Sequence, residues 1–172
     1  AERTIPKVFW NGAMVEGWAA YITTQLVDKG YTVYPEEPWG HEIQQMVDDK
    51  MVLRSVINAT IDLRLHRTDW PEEEAVKLML ETGFQEPSEA NGKLVRAKVS
   101  SVQLSSYFAG HSAIEEILAE YKAKLGPDFS YKVFNERLVG AARQDSCALH
   151  MDPYYRNGRF RASTVSGDLS DP

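Results

Sequence analysis

Apolar residues recur at helical spacing along almost the whole of this chain. Val15, Trp18, Ala19, Ile22 and Leu26 predict a first helix from about Asn11 to Lys29, with Gly30 as its stop. Tyr31 to Pro38 holds two prolines and reads as a turn-rich connection. A long second helix follows from about Trp39 to Leu65, its apolar side including Ile43, Val47, Met51, Ile57 and Ile61. Thr68-Asp69-Trp70-Pro71-Glu72-Glu73-Glu74 reads as a new start, with Thr or Asp as cap, proline in the first turn and acids at the positive end of the dipole. That helix ends near Gly83, and Pro87-Ser88-Glu89 opens another that reaches about Ser100. Leu104, Tyr107, Phe108, Ile114, Ile117, Leu118 and Tyr121 mark the next, which stops at Gly126-Pro127. A short helix from Ser130 to about Val139 completes the pattern. The periodicity fades after Asp145, and Ser163 to Pro172 has the small, polar character of a frayed tail. There is no internal repeat, strand-like alternation or long linker. The expected fold is all-α with about six helices, residues 1–145 forming the helical part and 146–172 an irregular tail.

Composition narrows the classes. A chain of 172 residues with 43% hydrophobic and 26% charged content suits one soluble domain with a real core. Net charge is -6, and no basic stretch is interleaved with aromatics, so nucleic acid is not an expected partner. No apolar run approaches the ~20 residues that a membrane span needs. Residues 1–7 are polar and lead into no long apolar region, so no signal peptide is expected. The chain opens on Ala1 rather than Met, as a processed product, an excised segment or part of something longer would. Cys147 is alone, which excludes an internal disulfide, a zinc ribbon and a thiol redox pair. Cytoplasm and periplasm both stay open.

Three polar constellations carry candidate chemistry. The first is Met14-Val15-Glu16-Gly17-Trp18-Ala19-Ala20-Tyr21, where one carboxylate sits among small and aromatic residues on an apolar helix. Burying Glu16 unpaired would cost several kcal/mol, so it calls for a cation, a metal being one candidate. The plainer alternative is a solvated or salt-bridged helix residue. The second is Arg54, Asn58, Asp62 and His66, at four-residue steps that drift about 40° each and make a slanting stripe. Asp62 and His66 are i and i+4 and can touch, the carboxylate orienting the imidazole. The stripe is either a solvated face or one that offers His66 into a cleft. The third is Ser100 to Gly110, where small and polar residues surround Tyr107 and Gly110 permits close approach of another segment. Tyr107 is either a packed tyrosine bonded to a carbonyl or a phenol that can donate to an oxyanion. His41-Glu42 begins like the zinc motif His-Glu-x-x-His, but Gln45 replaces the second histidine, which leaves a helix-start pair.

These elements occur together, in order, in a known family. The chain resembles the C-terminal part of the bacterial DUF885 proteins, relatives of the zincin-like metallopeptidases. The matching residues are Val15-Glu16-Gly17-Trp18-Ala19-x-Tyr21 and Asn58-Ala59-x-x-Asp62-x-Arg64-Leu65-His66. Glu73-Glu74-Ala75, Gly83-Phe84-Gln85-Glu86, Arg96-Ala97 and Ser106-Tyr107-Phe108-x-Gly110 follow, so that the likeness covers roughly residues 9 to 140. The resemblance implies an α-helical zinc peptidase scaffold. In it a His-Glu…His element supplies two zinc ligands and the general base, and Glu16 matches the third ligand. It also implies that His66, Tyr107 and Asp62 serve the catalytic side and that Arg54, Asn58 and Arg96 bind substrate. Asn135 stands where many relatives carry His.

No His-Glu…His element precedes Glu16 in this chain. The expectation is therefore a C-terminal fragment of a zinc-dependent peptidase, with one metal ligand and the oxyanion side of the site. Its partners would be a peptide substrate and the N-terminal remainder of the same protein, or a second copy joined through the bared Val15-Trp18-Ile22-Leu26 stripe. The zinc would belong to the complete protein. The other reading is a non-catalytic helical module for binding or assembly.

Overall fold

Each predicted helix forms, and most of the ends lie near the punctuation residues. The structure, a computed structural model, describes residues 12–144, and among them there is no strand. Helix α1 spans Gly12–Asp28, α2 Gly40–Arg67, α3 Glu72–Glu81, α4 Pro87–Val99, α5 Ser105–Leu125 and α6 Tyr131–Gln144. Gly30 takes φ 87° after α1, and this left-handed turn lets Gly30 N–H reach the Val27 carbonyl at 2.9 Å and Tyr31 N–H reach the Leu26 carbonyl at 3.0 Å. The irregular tail expected over 146–172, Cys147 included, lies outside the described residues. No helix among the described residues is long and apolar enough to cross a membrane.

The start of α3 differs from the expectation. Neither Thr68 nor Asp69 caps it; Pro71 itself is the N-cap, with no side-chain cap bond. Thr68 instead closes α2, its N–H and its hydroxyl both donating to the Arg64 carbonyl at 3.0 and 2.9 Å. Pro71 sits just before the first helical residue, which leaves Thr68 and Asp69 too far out to reach the open amides. Glu72, Glu73 and Glu74 still place negative charge in the first turn.

Residues 12–112 form one compact unit. In it α2 packs against α1, α3 and α4, and α3 packs against α4. Ile57, Ile61, Ala75, Met79, Ala90, Ala97 and Leu104 make its buried core, with Leu53, Leu65 and Trp70 packed at the edge. Alanines at 75, 90 and 97 let the helices approach closely. The apolar side expected of α2 is only half used: Ile57 and Ile61 are buried, whereas Val47 and Met51 are exposed. The core forms where α3 and α4 cover α2, from about Leu53 onward, while nearer its start α2 faces α1 through a polar contact. There Asp48 is buried and accepts a hydrogen bond from Thr24. Burial pushes its carboxyl above the usual range, as do Asp49 and Asp28, while the Thr24 bond and His111 oppose the rise.

Helix α1 meets the first part of α5 backbone to backbone. A Cβ added to Gly110 would lie 1.9 Å from the Ala13 carbonyl oxygen and 2.9 Å from Gly17 Cα; one added to Gly17 would lie 2.3 Å from the Gly110 carbonyl carbon. Only glycine on both sides permits this contact, since either methyl would force the helices apart.

The second unit comprises the described residues from Ala113 onward. Ile114, Leu118 and Phe134 are buried in it. Phe134 meets Tyr121 edge-on at 5.4 Å, and Phe129 meets Tyr131 at 4.9 Å. Lys122 lies 4.8 Å over the Tyr131 ring. Helix α6 continues to Gln144, past the expected end at Val139.

Two predictions follow from this packing. Gly110→Ala should destabilise by about 3 kcal/mol, the upper range for overpacking, whereas Gly92→Ala, mid-helix with open space around it, should stabilise by about 0.5–1 kcal/mol. Urea unfolding of the two variants checks this, and equal stabilities would remove the close contact. Asp48 binds its proton more tightly when folded, so stability should fall as pH rises from the ordinary carboxyl value through the raised folded one. Asp48→Asn should raise Tm at pH 7 and flatten that fall, as read from melting curves over pH 3–8.

Candidate functional site

Asp62 is the best-connected side chain of the first unit. It is 2% exposed, fixed on α2 in the turn after Ile61. One carboxylate oxygen accepts from Val102 N–H at 3.3 Å and lies 3.4 Å from His66 Nε2. The other accepts from Ser105 N–H at 3.0 Å and from the Ser105 hydroxyl at 2.7 Å. Ser105 is the first residue of α5, so a side chain of α2 caps a helix from 43 positions away in sequence. The same bonds hold Val102 at φ 68°, a left-handed conformation that a β-branched residue rarely adopts.

His66 lies one turn beyond Asp62. Its Nε2 contacts the Ala97 carbonyl at 2.8 Å. A carbonyl accepts only, so Nε2 carries a proton and donates, which leaves the Nδ1 lone pair free in the neutral ring. The predicted Asp62–His66 contact is present, but both groups are committed to neighbouring segments as well.

The stripe on α2 runs along a seam with another helix, with Arg54 and Asn58 half-buried and His66 exposed at its end. Its two ends meet the same helix: Arg54 pairs with Glu89 of α4, and His66 bonds Ala97 of α4. Asn58, between them, has a buried Oδ1 without a hydrogen-bond partner. Arg96 is exposed on α4 and donates to Gln103 Oε1 at 2.5 Å.

Sequence reasoning missed Lys93. Its side chain is 12% exposed, and its ammonium donates to Gln85 Oε1 at 2.9 Å and reaches Glu89 Oε1 at 3.4 Å, the oxygen that also takes Arg54. Burial, then the charges of Arg54 and Arg96, pull its pKa down to about 8. The signal was in the sequence, as Glu89, Lys93 and Arg96 at i, i+4 and i+7.

Glu16 and Tyr107 come from separate stretches that the glycine contact joins. Glu16 precedes Gly17, and Tyr107 stands one turn before Gly110, the two residues whose backbones touch. Glu16 is half-buried and has no ion-pair partner among the described residues. Tyr107 is also half-buried, and its hydroxyl has no hydrogen-bond partner there. The carbonyl-bonded alternative for Tyr107 therefore finds no support among the described residues. No three His, Cys, Asp or Glu residues come together to hold a metal among the described residues.

Comparison with known proteins gives one family. The profile of DUF885, described as "Bacterial protein of unknown function", matches residues 2–141. Among solved structures, a "putative lipoprotein of unknown function from Shewanella oneidensis" is similar at 37% identity and a TM-score of 0.70 over 83% of this chain. The chain spans 26% of that protein's length. No curated protein matches it.

Asp62→Ala should cost about 3 kcal/mol, because a buried carboxylate that accepts several bonds leaves its donors unpaired when removed. Amide exchange at Val102 and Ser105 should accelerate more than the global loss of stability explains. Unchanged exchange at those two amides would mean that the carboxylate does not hold the turn.

Proposed function

The chain belongs to the DUF885 family of bacterial proteins, and on that premise we propose that it is the C-terminal part of a zinc-dependent peptidase, supplying one metal ligand and the oxyanion and substrate side of the site. The observation that carries the reading is the seating of Gly17 on Gly110. It draws together two family stretches, one with a half-buried carboxylate and one with a half-buried phenol, neither of which has a partner among the described residues.

The donor set limits what this chain does with metal. Glu16 fits as one oxygen ligand, and the other ligands would come from outside these residues. Zinc held by three protein ligands keeps a position for water and lowers its pKa to about 7. The roles left to this chain are polar. Tyr107 O–H would donate to the oxyanion that develops on an attacked amide carbonyl. His66, with Nε2 spent on Ala97, would act through Nδ1, as an acceptor when neutral and as a donor only when the ring takes a second proton. Asp62 would hold the start of α5, and with it Tyr107, in place. Arg54, Asn58 and Arg96 would meet the substrate peptide along the seam between α2 and α4. Val15 and Leu26, 42% and 46% exposed, would belong to the surface that joins the remainder of the protein or a second copy.

A second reading, the non-catalytic helical binding or assembly module, draws on one observation: Asp62 and His66 are both engaged in holding neighbouring segments. The two readings part in experiment. In a protein that also carries the His-Glu…His element, Tyr107→Phe should lower kcat by about 10²-fold with little change in KM, as loss of an oxyanion donor does. His66→Ala should lower kcat more than it raises KM, and Glu16→Gln should reduce bound zinc. The present chain alone should bind zinc weakly in calorimetry and cleave nothing. Full activity in both the Tyr107 and Glu16 variants would leave the non-catalytic module standing.

A further inference from the structure

The negative charge of the chain is concentrated in one stretch. Between Lys29 and Lys50 there is no Lys or Arg, and five acids stand there: Glu36, Glu37, Glu42, Asp48 and Asp49. They carry a formal -5 of the net -6, so the remaining residues are close to neutral. Asp48 is buried toward α1; the other four are exposed and have no ion-pair partner among the described residues. The same stretch shows large apolar side chains to water. Trp39, 68% exposed, is the most exposed aromatic among the described residues, and Met46 is 66% exposed. Trp39, Glu42, Met46 and Asp49 fall at i, i+3, i+7 and i+10, which places them along one face of α2. At about 100° per residue, Met46 points about 160° away from Asp48, so this face looks away from α1. Along it apolar and acidic residues alternate at steps of about 5 Å. The connection that leads into it is pinned to the helix. The Thr32 hydroxyl donates to the Gly40 carbonyl at 2.7 Å and accepts from Tyr34 N–H at 3.0 Å. Gly40 N–H donates to the Glu37 carbonyl at 3.0 Å, and a Cβ on Gly40 would lie 2.0 Å from the Tyr34 carbonyl oxygen. Trp39 is therefore offered from a fixed backbone, which spares a partner part of the entropy of ordering it.

We propose that the Trp39–Glu42–Met46–Asp49 face of α2 is the docking site for a basic amphipathic helix of another protein, one edge of which alternates apolar residues with Lys or Arg at helical spacing. Charge names the occupant. An uncharged apolar helix would bury Glu42 and Asp49 without partners, at a cost that the apolar contacts must overcome. The same face of a second copy would set like charges against each other, and an anionic lipid surface would be repelled. A basic amphipathic helix meets both halves of the pattern, with apolar side chains against Trp39 and Met46 and cations against Glu42 and Asp49. Glu36 and Glu37 add attraction during the approach. Tryptophan is the residue type that most often dominates such interfaces, and methionine adapts its shape to a partner. None of these residues belongs to the peptidase site proposed above, so the docking site stands apart from that reading.

Calorimetry on the full chain, at low and at high salt, tests the proposal. The first probe is an acetylated and amidated peptide of two consecutive Leu-Lys-Lys-Leu-Leu-Lys-Leu units, which presents the alternating edge as a helix. The second has Glu in place of every Lys, and the third has a central proline that breaks the helix. The Lys peptide should bind at least tenfold more tightly than either of the others. Trp39→Ala should weaken it at least tenfold; this side chain makes no cap bond, so the variant should fold, as circular dichroism confirms. Glu42→Gln combined with Asp49→Asn should weaken it severalfold and remove most of its salt dependence. Glu120→Gln, exposed on α5, should change nothing, whereas attraction to net charge alone predicts a similar loss per carboxylate at either place. Equal binding of the Glu peptide overturns the charge argument, equal binding of the proline peptide overturns the helix, and unchanged binding by Trp39→Ala removes this face. Light scattering covers the remaining occupant: self-association that Trp39→Ala abolishes would make it a second copy and overturn the proposal.

Discussion

A carboxylate that is almost wholly buried ties the first unit together. Taking Asp62 out of water is costly, and the cost is met only because donors converge on it: two backbone N–H groups and a serine hydroxyl. Those donors come from the turn that ends α4 and from the first residue of α5. Remove the carboxylate and nothing else among these bonds fixes where α5 begins. Its starting residue sets the helical phase of everything after it, so Tyr107 and Gly110 inherit their positions from Ser105. Val102 in its left-handed conformation is the strain that this arrangement tolerates.

The glycine contact depends on that phase. Gly110 lies against Ala13 and Gly17 only if α5 presents the right face, since a rotation of one residue, about 100°, would turn a side chain into a backbone. Two constraints of different kind therefore act in series. The first is electrostatic and pins the start of α5. The second is steric and pins its crossing with α1. Asp48 is a useful contrast, being another buried carboxylate of α2. A threonine and a histidine offset its burial, two other carboxylates add to it, and its pKa rises. Asp62 accepts from two backbone amides, whereas Asp48 accepts from none among the described residues.

How much of this was legible in sequence follows from range. The helices were readable because their signals are local: Gly30 ends α1, Pro87 opens α4 and Gly126-Pro127 ends α5. The Asp62–His66 contact was readable because i and i+4 always meet on a helix. The small size of Gly110 announced a close approach. What it approaches could not be read, because Gly17 lies far off in sequence and glycine carries no directional mark. Nor could the partners of Asp62 in the Ser101–Ser105 turn, where serines alone gave no hint of a distant carboxylate. The exposure of Val47 and Met51 escaped for the same reason: periodicity marks an apolar side of α2 but not how far along it α3 and α4 reach.

The stripe on α2 shows what such a pattern can and cannot mean. Sequence offered two readings, a wet face or a cleft wall, and α4 supplies a third, a seam between helices. Seams of this kind usually bury apolar side chains, and this one does so on its inner side through Ile57, Ile61, Ala90 and Ala97. On its outer side it carries two unlike polar ends. Near His66 the Nε2 proton meets the Ala97 carbonyl and the ring lies beside the Asp62 carboxylate. Near Lys93 two cations, Arg54 and Lys93 itself, share one oxygen of Glu89, and Gln85 supplies a neutral acceptor. Exchanging Lys93 for a neutral residue of similar length would relieve the repulsion from the guanidiniums but leave Gln85 Oε1 without its donor.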